Sequence, residues 1–299
     1  MSSSTPFSSL FVSPAELHNA LSDSSSAFRV IPLTAGRNSS MQSFESQHIP
    51  DSVFFNMDII RDTTSRYPMM LPTPTQFAKY MSELQITPND VLVVYDPMEP
   101  GFYSSPRVAW TCQYFGHRAV HVLNTFPRYV EEGFPVVTGK VSTPVSSTTK
   151  VTYPEQQVSE SRNVISFEEV CDIIADPIQT EQVQIIDSRP SARFSGPPDP
   201  EPSALPVGHI PSAINVPFSS LLGPDKKVLS PAELTELFNK AGVKENVPTV
   251  LYCNTGVTAA GLDLALSASG LNIRTRLYDG SWSEWSKRAE NEGMMVTES

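Results

Sequence analysis

The sequence predicts an α/β protein made of two domains in tandem, each a mainly parallel sheet flanked by helices. Three observations carry that expectation. The length of 299 residues, 39% of them apolar, is enough for two cores of roughly 150 residues each. Short segments recur in the same order: Gln47-His48-Ile49-Pro50-Asp51-Ser52 returns as Gly208-His209-Ile210-Pro211-Ser212-Ala213, with the histidines 161 positions apart. Apolar runs of strand length also alternate with helical periodicity, the pattern of a parallel sheet with crossover helices.

Each element has its own signal. Thr73-Pro74-Thr75-Gln76 and Ser230-Pro231-Ala232-Glu233 are hydroxyl caps with Gln or Glu three residues on, the mark of a helix start. The runs 91–95 and 249–252 read as buried strands, their terminal tyrosines 157 positions apart, and this offset sets Asp96 opposite Cys253. A helical pattern follows each run: Val108, Cys112 and Phe115 before Gly116, then Leu262, Ala265 and Leu266 before Gly270. Both glycines suit a left-handed C-cap. Further strands are expected at 183–187 and 273–278, and a helix at 166–175 whose Phe167, Val170, Cys171 and Ile174 form one apolar stripe. Ser, Thr, Val, Lys and Pro without helical period mark a linker at 142–157 between domains 1–141 and 158–299. The Pro-rich run Pro197-Pro198-Asp199-Pro200-Glu201-Pro202 is expected in a surface loop.

Composition narrows the function classes. A net charge of −11 without any basic run argues against nucleic-acid and anionic-membrane partners. No apolar stretch approaches the roughly 20 residues of a membrane span. The Ser-rich start has neither a secretory pattern nor the arginines of a mitochondrial presequence, so cytoplasmic residence is expected, with a mitochondrial location as the alternative. Three scattered cysteines fit neither a disulfide framework nor a metal cluster and suit a reducing compartment.

Cys112 and Cys171 sit on apolar helix stripes, where cysteine acts as a small hydrophobe. Cys253 instead ends a buried strand and opens the loop Asn254-Thr255-Gly256-Val257-Thr258 before a helix. Strand, glycine-bearing loop and helix start form an anion-binding geometry, which lowers a thiol from its reference pKa of about 8.5 and makes the thiolate a nucleophile. His48 and His209, repeated in both copies, are expected to hydrogen-bond a loop. Trp282 and Trp285 are expected in the core.

The blocks Ile186-Asp187-Ser188-Arg189, Arg193-Phe194-Ser195-Gly196, Gly208-His209-Ile210-Pro211, Asn215-Val216-Pro217-Phe218, Cys253 to Ala259 and Tyr278-Asp279-Gly280-Ser281-Trp282 together resemble the rhodanese fold. With Ser105-Pro106-Arg107-Val108 in the first copy, the chain resembles the tandem-domain thiosulfate and 3-mercaptopyruvate sulfurtransferases from about Val12 onward. The resemblance implies an inert first domain with Asp96 in the cysteine position. It also implies a persulfide on Cys253 that is discharged to a thiol, cyanide or reduced thioredoxin, with no metal or organic cofactor. Arg193 matches the arginine that holds the donor's carboxylate or sulfonate, and 254–258 supply the cradle. Arg189 is expected to pair with Asp187 instead.

Three positions depart from the family pattern. Ser203 stands where mercaptopyruvate enzymes carry a second arginine. Their Ser/His/Asp relay maps onto Thr255, Met69 and Asp58, so it lacks its histidine. Thiosulfate enzymes carry a basic residue at the Thr255 position, so the donor evidence is split. Two other classes compete. The related phosphatases require an arginine six places after the cysteine, where Ala259 stands. A non-catalytic regulatory or interaction protein on the same fold is the other alternative.

Overall fold

The computed structural model describes residues 5–99, 101–140, 151–155, 164–196 and 205–289. The chain divides into two units, Met1–Thr63 with Leu71–Val158 and Thr64–Met70 with Ser159–Ser299. Among the described residues, no helix is long and apolar enough to cross a membrane.

In chain order the first unit contains β1 (Phe11–Val12), α1 (Pro14–Ser22), β2 (Val30–Gly36), α2 (Met41–Ser46), β3 (Val53–Asn56), α3 (Pro74–Glu83), β4 (Val91–Tyr95), α4 (Ser105–Tyr114), β5 (Ala119–Leu123) and α5 (Phe126–Glu131). The second contains β6 (Val164–Ile165), α6 (Phe167–Ala175), α7 (Pro177–Gln182), β7 (Gln184–Asp187), α8 (Ser191–Phe194), β8 (Ile214–Asn215), α9 (Pro231–Lys240), β9 (Thr249–Tyr252), α10 (Val257–Ser269), β10 (Thr275–Tyr278) and α11 (Ser281–Arg288). The five-stranded sheets have the orders β1-β5-β4-β2-β3 and β6-β10-β9-β7-β8. All their strand pairings are parallel. Strand for strand these are the same order, so the sequence repeat is a repeat of topology.

The local signals act as read. Thr73 accepts the Gln76 N–H at 3.2 Å and Ser230 that of Glu233 at 3.4 Å, both as complete capping boxes. Gly116 and Gly270 adopt φ of 78° and 81°, which a side chain would strain. His48 and His209 each place Nδ1 near a carbonyl, Phe44 O at 2.9 Å and Phe194 O at 3.0 Å, and stack on those same phenyl rings. The tyrosines ending β4 and β9 also match: Tyr95 Oη accepts the Ile49 N–H at 3.2 Å and Tyr252 Oη that of Ile210 at 3.1 Å.

One detail differs from expectation. The buried face of α6 is Phe167, Val170 and Ile173, which leaves Cys171 and Ile174 only partly covered at its edge. A spacing of three from Val170 turns Ile173 further inward than Ile174. Of the expected linker, residues 151–155 are described; Tyr153 is buried, with its hydroxyl 2.9 Å from His117 Nδ1. Trp282 and Trp285 are fully buried in the second core with Tyr252 and Tyr278.

Candidate active site

In each sheet the chain moves outward in opposite directions from the central pair, β4 and β2 or β9 and β7. This leaves a crevice at the carboxyl ends of those strands, where α/β proteins place ligands. In the second unit this crevice lies where the 253–258 loop follows β9 and the 188–194 segment follows β7, with Asp187 in register with Tyr252.

Cys253 is 1% exposed, and its Sγ accepts the Thr255 N–H at 3.4 Å. Gly256 takes φ 77°, a left-handed turn that sends the chain into α10. The first amides of that helix have no intrahelical acceptor and carry its positive dipole end. Val257 is buried, and Thr258 pairs its hydroxyl with Ser188 Oγ at 2.8 Å. The start of α11 clamps the loop from behind. Cys253 N–H donates to Ser281 Oγ at 3.2 Å, Trp282 N–H to Cys253 O at 2.8 Å, and Ser283 N–H to Asn254 O at 3.0 Å.

Ser281 sits at φ 50°, a conformation that costs a non-glycine residue on the order of 1–2 kcal/mol. Its fully buried hydroxyl, which also donates to Tyr278 O at 2.8 Å, holds it there. The sequence marks Ser281 only as part of a matching block, with no role attached. The Ser188–Thr258 pair has no local signal either.

Asp187 and Arg189 form the expected internal pair, with Nη2 to Oδ2 at 2.6 Å and Nε to Oδ2 at 2.8 Å. The guanidinium also donates to Gly208 O at 2.6 Å and lies 4.3 Å from the centre of the Trp282 ring. Arg193 is half-buried in α8, on the segment after β7, and its carbonyl accepts the Gly208 N–H at 3.3 Å. Ser203 and the Pro-rich run lie outside the described residues. Met69, buried, offers no proton-bearing group. Asp58 accepts from Arg37 Nε at 2.8 Å and Asn38 N–H at 2.9 Å. Among the described residues, no cluster of His, Cys, Asp or Glu could hold a metal ion.

The first unit fills the equivalent place differently. Asp96, 1% exposed, accepts the N–H groups of Tyr103, Ser104 and Ser105 at 2.9, 2.6 and 2.9 Å. Burial pushes this carboxyl up, and those donors oppose the rise. The loop amides are therefore satisfied from within the chain. Asp96→Asn turns an NH2 toward an amide donor, so urea unfolding should show a loss of about 1–3 kcal/mol. Sulfur transfer per folded molecule should stay unchanged. A stability unaffected by the change would refute this role.

Residues 171–288 match the family model of the rhodanese-like domain. Rat thiosulfate sulfurtransferase is 35% identical over 259 residues, covering 86% of this chain and 83% of the relative. Mouse 3-mercaptopyruvate sulfurtransferase is 34% identical over 251 residues, covering 83% and 80%. The crystal structure of the Saccharomyces cerevisiae Tum1 protein superposes with a TM-score of 0.84 at 30% identity, over 97% of this chain and 98% of that one. Identity of this extent, across both units and on the same tandem fold, places the chain in the rhodanese family of sulfurtransferases.

Proposed function

We propose that this sulfurtransferase carries sulfane sulfur from a small anionic donor, 3-mercaptopyruvate or thiosulfate, on Cys253 to a thiol or cyanide. The Cys253 thiolate attacks the donor's outer sulfur and an S–S bond forms. The bond from that sulfur to the donor breaks, and the electron pair leaves with sulfite or, from mercaptopyruvate, with the enolate of pyruvate, which then takes up a proton. The acceptor nucleophile attacks the outer sulfur of the persulfide, and the Cys253 thiolate leaves. Reduced thioredoxin is the protein acceptor in this reading. The scheme uses no metal or organic cofactor.

The observation that supports it most is the contrast at one position of the repeat. Where the first unit satisfies its loop amides with Asp96, the second ends the same strand in a thiol beneath the Thr255 N–H. Asn254, Thr255, Gly256, Val257 and Thr258 supply a backbone cradle that stabilises charge on sulfur as an oxyanion hole does on oxygen. Arg193 holds the donor's carboxylate or sulfonate, a task for a permanently charged planar fork.

Thiosulfate and 3-mercaptopyruvate should be assayed side by side, with cyanide and with thioredoxin as acceptors. Turnover with either donor is expected, and none with any pair would favour the interaction-protein alternative. Arg193→Ala should raise the donor KM by one to two orders of magnitude, about 1.5–3 kcal/mol for a charge-assisted contact. An unchanged KM for both donors would remove Arg193 from the site.

A further inference from the structure

The first unit has a cavity of about 410 Å³ between α2, β3 and α3, away from the Asp96 loop. Its size falls within the range of small-molecule sites, roughly 300–1,000 Å³. Phe44, Phe54, Ile60 and Leu84 line it, and Ile59, 48% exposed, stands at its edge. Phe44 and Phe54 are in tilted contact with ring centres 5.0 Å apart, so the wall offers aromatic surface.

The polar lining sets the ligand's charge. Glu45 is half-buried, and its carboxylate has no hydrogen bond or ion pair among the described residues. A partly desolvated, unpaired carboxylate beside aromatic rings attracts a cation, and the ring faces add to that attraction. Glu83 adds a second negative charge, held only by an exposed contact with Lys79 at 3.9 Å. Lys140 is the one cation in the lining, and the whole chain carries −11. The Tyr80 hydroxyl, with no partner among the described residues, is a further hydrogen-bonding group in the wall. Nothing in the proposed sulfur relay uses this cavity.

We infer that it is a second binding site, which takes a small amphiphilic amine: an aromatic or branched aliphatic body in the apolar pocket with its ammonium group at Glu45.

Ligand-observed NMR and calorimetry on the full chain test this with three probes of one shape: phenethylamine, 3-phenylpropionate and 2-phenylethanol. The amine should bind at least tenfold more tightly than the carboxylate. Glu45→Gln should weaken the amine about tenfold and leave the alcohol unchanged. Leu84→Trp, which fills the pocket, should abolish binding of all three. Urea unfolding followed by far-UV circular dichroism serves as the folding control for both variants. Tighter binding of the carboxylate, equal binding of all three probes, no binding of any, or an amine affinity indifferent to Glu45→Gln would each overturn the inference.

Discussion

Cys253→Ser should abolish sulfur transfer, with a loss on the order of 10³-fold or more, because a serine hydroxyl can neither ionise near neutral pH nor form the persulfide. The two other thiols provide the control. Cys112 is fully buried in α4, and burial pushes its thiol well above the ordinary range. A thiol kept protonated by an apolar environment is inert. Cys171 lies half-buried at the edge of α6 with no such loop around it. Cys112→Ser should cost about 1–3 kcal/mol for a buried hydroxyl, yet transfer per folded molecule should stay within a few fold of the parent. Cys171→Ser should do less to stability and as little to turnover. After donor treatment, mass spectrometry should find one added sulfur, on the peptide containing Cys253. Substantial turnover by the Cys253→Ser protein, or the sulfur on another cysteine, would sink the persulfide mechanism.

The sequence makes some of this structure visible because the signals are local. A hydroxyl followed three residues later by Gln or Glu closes a capping box within one turn, and Thr73 and Ser230 do so. A run such as Val91–Tyr95 reads as a buried strand, and its end locates the loop that follows it. The Asp187–Arg189 pair is two residues long in sequence, so its chemistry can be inferred before its geometry. Other features depend on distant chain. β1 and β6 are two residues each and exist only by pairing with β5 and β10, which leaves no periodicity to read. Residues 64–70 group with the second unit, where Lys287 Nζ lies 6.0 Å from the centre of the Tyr67 ring, and nothing in that short stretch signals it. Asp96 reads from sequence as a missing nucleophile. Its positive role as the acceptor for the loop amides emerges only when the chain returns at Tyr103 to Ser105. Likewise, Ser281 supports a backbone N–H 28 positions earlier, a relation that alignment of blocks cannot express.

Breaking the Asp187–Arg189 pair should be the most damaging change outside the reactive cysteine. Both side chains are at most 1% exposed, and the guanidinium makes contacts that nothing nearby replaces. It neutralises Asp187, ties down Gly208 O and lies against the face of Trp282. Arg189→Ala leaves a carboxylate buried without its partner, a loss of about 3–5 kcal/mol. The effect should reach the site, because Trp282 donates its backbone N–H to Cys253 O and its Nε1–H to Pro206 O at 2.8 Å. Turnover should therefore fall along with stability. Arg189→Lys should rescue little, since one ammonium cannot serve the carboxylate and the Gly208 carbonyl in the same fork geometry. The double change Asp187→Asn with Arg189→Met separates charge from packing: it removes the ionised pair, so stability should recover well above that of Arg189→Ala. Urea unfolding followed by tryptophan fluorescence reads this directly, because two of the three tryptophans, Trp282 and Trp285, lie in that core. A loss below about 1 kcal/mol for Arg189→Ala would place the pair among the weak, solvent-screened kind and remove it as the support of the loop.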